Sequence, residues 1–129
     1  MPYRRLNARQ KENHNYAKLA AALADYGYSV MRLSDDWEGA DLIAQHVGGR
    51  VLRIQLKSRL AIAKKYRGKG LYLAFPDGGA WYLGPHDEIM ALVLRRGVGK
   101  TRSWRKDGRY AHRRIPVELR GALAAYCIA

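Results

Sequence analysis

Three polar residues sit where apolar strands are expected, and their types suit phosphodiester chemistry. Asp41 opens the apolar stretch Leu42-Ile43-Ala44, and Gln55 and Lys57 close the next one, Val51 to Ser58, across a Gly48-Gly49 turn. Hydrolysing a phosphodiester takes a divalent metal to neutralise the phosphate and activate water. It also takes carboxylates to hold that metal, and a cation to steer the nucleophile and meet developing charge. Asp41 is the candidate carboxylate and Lys57 the candidate cation. Gln55 offers a side-chain carbonyl, and Leu56 between them a main-chain carbonyl. Mg²⁺ takes oxygen ligands and keeps several waters, so so few protein ligands can suffice. Mg²⁺ is therefore the expected cofactor, with Mn²⁺ able to substitute.

The elements that must position this set read as follows. Residues 8–26 carry Tyr16, Leu19, Leu23 and Tyr26 at helical spacing among alanines, and Gly27 suits the stop. Glu12 lies one turn before Tyr16 and is a speculative fourth member of the metal set. A strand over Tyr28–Leu33, an acidic loop Ser34–Gly39 and a hairpin lead to Gln55 and Lys57. In that second hairpin strand Leu52, Ile54 and Leu56 alternate with Arg53, Gln55 and Lys57, so the polar trio shares one face. A two-residue Gly48-Gly49 loop would set Asp41 opposite Leu56, on the wrong face. A three-residue loop Gly48-Gly49-Arg50, or a bulge nearby, would set it opposite Lys57. Strands at Leu71–Phe75 and Trp81–Leu83, a helix at Asp87–Leu94 and a last helix from Pro116 to Tyr126 complete the expected order. The stretch Gly97–Tyr110 reads as irregular and basic. The fold class is α/β, with a central mixed sheet of about five strands flanked by helices in one domain spanning residues 1–129.

At these residues the chain resembles the PD-(D/E)XK nuclease superfamily: helix, strand, Asp on the next strand, then an acid or amide, any residue, and Lys. The Gln-x-Lys form is similar to Mrr-type restriction endonucleases and to a homing endonuclease of that superfamily. The segment Leu23–Tyr28 with Gly39–Ala44 looks like archaeal Holliday-junction resolvases. The resemblance covers about residues 12–75. It implies a restriction-endonuclease-like core with Asp41, Gln55 and Lys57 as the metal-and-catalysis set. Two departures stand out: the helix glutamate of the resolvases would fall at Tyr16, and Gln55 replaces an acid.

Charge agrees with a polyanionic partner. The chain has 24 Lys and Arg against 11 Asp and Glu, a formal net charge of +13. From Leu42 to Pro76 there is no acid against eight basic residues, and Arg95–Arg114 adds nine more around the single acid Asp107. Such clustering favours nucleic acid. The expected contacts are Arg53, Arg59, Lys64, Lys65, Arg67 and Lys69 in the first segment, and Lys100, Arg102, Arg105 and Lys106 in the second. Gly97-Val98-Gly99-Lys100-Thr101 is not a phosphate-binding loop, because Leu94 stands where that motif needs glycine. One cysteine, Cys127, excludes an internal disulfide. With no signal-like or membrane-length apolar run, the expected location is cytoplasmic.

The sequence therefore points to a Mg²⁺-dependent DNA endonuclease, with a homodimer expected where both strands are cut, because that calls for two active sites. The alternatives are a non-catalytic nucleic-acid-binding module on a degenerate nuclease fold and an RNA-directed relative.

Overall fold

The computed structural model describes residues 2–129. Helix α1 (Ala8–Ala24) starts at Asn7, whose side chain accepts from the Gln10 N–H while Gln10 returns a bond to the Asn7 N–H, a reciprocal cap. It is followed by β1 (Tyr28–Trp37), β2 (Ala40–His46), β3 (Val51–Leu56), β4 (Ala61–Ala63), β5 (Tyr72–Asp77) and β6 (Ala80–Pro85). Helix α2 (His86–Arg95), strand β7 (Arg109–Ala111) and helix α3 (Val117–Leu123) close the chain.

Five strands form one mixed sheet in the order β1-β2-β3-β5-β6. All neighbours are antiparallel except β3 and β5. A parallel pair needs a crossover. Here it runs over residues 57–71 and carries β4, which pairs with the distant β7 in a small second sheet.

Each face of the large sheet carries its own core. Leu19 and Leu23 of α1 bury against Leu42, Ala44, Leu52 and Ile54. On the other face Leu73 and Phe75 pack with Ile62, Ile89, Val93, Trp104 and Leu119. Among the described residues no helix is long and apolar enough to cross a membrane.

Three expectations change. The first strand does not stop at Leu33 but continues to Trp37, because a two-residue turn, Glu38-Gly39, joins it directly to β2. Both turn residues have positive φ (51° and 96°), the geometry that matches strand twist in tight hairpins. The β2–β3 loop has the expected three residues but is slid by one: His46 and Arg50 close it around Val47-Gly48-Gly49. Tyr26 lies beyond the end of α1 and is exposed rather than inward. Strands β4 and β7, three residues each, were not foreseen.

Candidate active site

Asp41 owes its position to a fault in the β1–β2 pairing. Arg32 pairs with Leu42 and Trp37 with Ala40. Four residues of β1, Leu33-Ser34-Asp35-Asp36, therefore bulge opposite Asp41 alone. On its other side the β2–β3 ladder is paired as far as Leu42–Ile54. The Lys57 N–H turns away and donates to the Ala74 carbonyl at 2.9 Å. The Leu56 N–H faces Asp41 and donates to Asp41 Oδ2 at 2.9 Å. The side chain thus takes up a main-chain donor at the point where the ladder opens, which fixes the carboxylate and leaves its other oxygen uncommitted by this bond.

Around Asp41 is a cleft of about 900 Å³. Its walls are the first turns of α1 (Arg9, Lys11, Glu12, Asn15), the β1 bulge with Arg32, and the end of β3 with Lys57 and Ser58. Arg32 ties two of these walls together: it donates to Asn13 Oδ1 at 2.8 Å and lies 4.6 Å over the Tyr16 ring. Asp41 opens to solvent, yet the cleft walls crowd it enough that desolvation raises its pKa above the usual 3.8. The Leu56 N–H and the Lys57 ammonium oppose that rise, while the carboxylates of Asp36 and Glu12 add to it. A carboxylate held by a donor and crowded by other carboxylates has a reason to bind a cation.

The residues singled out in the sequence separate into two groups. Asp41, Lys57, Leu56 and Glu12 line the cleft together. Gln55 does not join them. It shares the face of Leu73, its partner in β5, is 2% exposed, and lines a smaller hollow on the far side of Lys57. The one-residue slide of the loop sets Leu42 opposite Ile54, where the ladder ends, so Asp41 is not paired opposite Lys57. The Leu56 group seen in contact is the N–H, not the carbonyl. Asp36 of the acidic stretch belongs to the cleft, as do Arg32, Arg9 and Lys11, which were missed. No sequence signal marks the bulge that delivers Asp36.

A metal here would be held in large part by water. Among the described residues no three His, Cys, Asp or Glu side chains converge closely enough to bind an ion by themselves. Mg²⁺ suits such a site, since it is bound through one or two carboxylates and keeps several waters. Asp41 is the carboxylate that would hold it directly, with Asp36 and Glu12 near enough to bear on its charge.

Of the basic residues expected at nucleic acid, Arg53 is already engaged. It lies 5.2 Å over the Trp37 ring, pairs with Glu38 at 3.5 Å and donates to the Lys69 carbonyl. Arg59, Lys64, Lys65, Arg67 and Lys69 are exposed, as are Lys100, Arg102, Arg105 and Lys106. The β4–β7 pairing joins these two segments: the Lys64 N–H donates to the Gly108 carbonyl at 2.7 Å, and Lys64 Nζ lies 5.3 Å over Trp104. Residues far apart in sequence form one basic flank beside Lys57.

No family model matches the chain, and no curated protein matches it in sequence. Several solved structures are similar to it, among them the two that follow. One is the Holliday junction resolvase Hjc of Archaeoglobus fulgidus, with 21% identity over 60% of this chain and 74% of that one, at a TM-score of 0.46. The other is a bacterial homing endonuclease, with 18% identity over 66% of this chain and 70% of that one, at a TM-score of 0.47.

Proposed function

We propose that this protein is a Mg²⁺-dependent endonuclease that hydrolyses DNA, with its active site in the cleft around Asp41. One observation carries the proposal: the Asp41 carboxylate, fixed by the Leu56 N–H, shares a cleft with Glu12, Asp36 and the Lys57 ammonium in a chain of charge +13.

Asp41 holds the metal, and the main chain of Leu56 keeps its carboxylate in one orientation. Asp36 and Glu12 add negative charge beside Asp41 that would favour a cation there. When bound, Mg²⁺ neutralises the scissile phosphate and lowers the pKa of a bound water. Lys57 orients the attacking water and meets the negative charge that develops on the phosphate oxygens. Arg9, Lys11 and Arg32 on the opposite walls receive the substrate's phosphates. Gln55 is left out of the metal set, because it lines the hollow behind Lys57. Mn²⁺, also an oxygen-seeking ion, substitutes for Mg²⁺. Cutting both strands would take two copies of the chain; β1, the open edge of the sheet, carries the exposed Met31 and Trp37 where a second copy could sit.

A specific observation favours one second reading, a binding module that does not cut. Position 55 is an amide rather than an acid and lies outside the cleft lining, so β3 brings no carboxylate to the cleft.

The test is incubation with plasmid, linear, branched and single-stranded DNA and one RNA, in Mg²⁺, Mn²⁺ or EDTA, beside Asp41→Ala and Lys57→Ala. Metal-dependent cleavage of DNA that vanishes in both variants is the expected result. Salt-sensitive binding without cleavage in any metal would overturn the catalytic proposal and leave the module.

A further inference from the structure

The hollow behind Lys57 has a chemistry of its own. Its volume is about 310 Å³, at the low end of the roughly 300–1,000 Å³ typical of small-molecule pockets. That suits one planar ring system with its sugar and is far too small for a duplex. Three alanines, Ala61, Ala63 and Ala111, give it a small-residue apolar lining, because β4 and β7 pair there. Tyr66 and Tyr110 stand at its sides. Lys65 and Arg109 bring positive charge to its mouth.

Gln55 contributes the one carboxamide in this lining. It is 2% exposed as a residue and lines the hollow. An amide offers two donors and an acceptor, the complement of a nucleobase edge.

The walls are firmly set. Tyr66 meets the His86 ring edge-on at 6.1 Å. His86, fully buried, contacts Asp87 through Nδ1 at 3.0 Å, and the Gly68 N–H donates to Asp87 at 2.9 Å. The loop carrying Tyr66 is thereby pinned to α2. Lys57 lines both the hollow and the Asp41 cleft, so a ring in one lies beside a phosphate in the other.

We infer that this hollow receives a single unstacked nucleobase of the DNA strand next to the phosphate that is cut. Gln55 reads its hydrogen-bonding edge and Tyr66 and Tyr110 pack on it. The inference rests on the proposed nuclease reading of the Asp41 cleft. It adds a substrate class: DNA in which a base near the cut is extruded or already unpaired. Unstacking costs a few kcal/mol and least where pairing is absent, so nicked, branched or mismatched DNA is favoured over an intact duplex.

The experiment scans 2-aminopurine, a base whose emission rises on unstacking, through each position of intact and branched duplexes. Binding is followed separately by anisotropy, in EDTA, with the Asp41→Ala protein so that no strand is cut. A several-fold rise in emission at one position is expected. It should be lost in Ala111→Phe, which fills the hollow from its exposed mouth, and in Gln55→Leu, with overall DNA affinity changed by less than about threefold. Thermal melting checks that each variant is folded; Ala111 is exposed on a short strand, so that variant stands if Gln55→Leu does not. No emission change at any position with binding intact, or a change that survives Ala111→Phe, overturns the base pocket alone. Failure of the protein to bind DNA at low salt overturns this inference and the nuclease reading together.

Discussion

At the scale of single residues, the titration of Asp41 offers a test that tells a catalytic carboxylate from a structural one. Its pKa is raised above 3.8, chiefly by desolvation. For an acid this sign means that ionisation costs the fold. The cost is absent well below pH 3.8, grows as pH rises through 3.8 to the higher folded value, and is complete above it. Asp41→Asn removes the charge and still offers an oxygen to the Leu56 N–H. At neutral pH the metal-free variant should therefore melt higher than the natural protein, by a few degrees at most, and the gap should narrow on acidification. Added Mg²⁺ should raise the melting temperature of the natural protein and leave the variant unmoved. A variant that melts lower in EDTA would mean that Asp41 serves the fold instead. Lys57 makes the converse case. Lys57→Ala should slow cleavage by roughly 100–1,000-fold, the usual effect of removing one group that stabilises transition-state charge, with DNA affinity nearly unchanged; single-turnover rates beside binding titrations measure both.

At the scale of elements, the Glu38-Gly39 turn links the two halves of the site. It ends the bulge that faces Asp41, and Gly39 lies where an added Cβ would stand 2.7 Å from the Tyr66 ring and 2.8 Å from Leu71. Gly49, with φ of 100°, has nothing within 4 Å of such a Cβ. Gly49→Ala therefore bears only the backbone cost, of order 1 kcal/mol, while Gly39→Ala adds a steric term and should lose roughly 1–3 kcal/mol. Chemical denaturation of both variants measures the difference, and equal losses would show that Tyr66 yields freely. The same elements explain what could be read in advance. Alternation in Val51–Leu56 and the helical spacing of Leu19 and Leu23 follow from burial on one face, so they were legible. The three-residue loop was legible in length because Asp41 had to share a face with Lys57. Its slide was not, because the closure of Val47–Gly49 by His46 and Arg50 depends on main-chain geometry rather than on residue type. The bulge at Leu33–Asp36 was hidden because its polar sequence reads equally well as a loop. The β4–β7 pair was hidden because three-residue strands far apart in sequence carry no periodicity. Gln55 was legible as a site residue by type, while only β5 and β4 show which hollow it lines.

At the scale of the whole molecule, the charge is divided by function. Four of the eleven acidic residues, Glu12, Asp35, Asp36 and Asp41, line the one cleft, leaving the flank formed by β4, β7 and their loops strongly basic. A uniformly basic surface would attract DNA without leaving a place for a cation; on the proposed reading this division would serve both. Binding to DNA should release counterions in proportion to the phosphates neutralised, with a slope of log K against log salt of about −0.9 per phosphate. If the two joined segments meet about six to eight phosphates, the slope should be roughly −5 to −7. Replacing Lys64, Lys65, Arg67 and Lys69 together by Gln removes four exposed cations that make no ion pair among the described residues. The slope should then fall in magnitude by about three to four, while the melting temperature stays close to that of the natural protein. Lys100, Arg102, Arg105 and Lys106 form the second set, and because the β4–β7 pair binds the two segments into one surface, their replacement should lower the slope by a similar amount. A slope that responds to one set and ignores the other would place the DNA on one side of that small sheet, away from the hollow between Gln55 and Tyr110, and would count against the base pocket as well as against the shared basic flank.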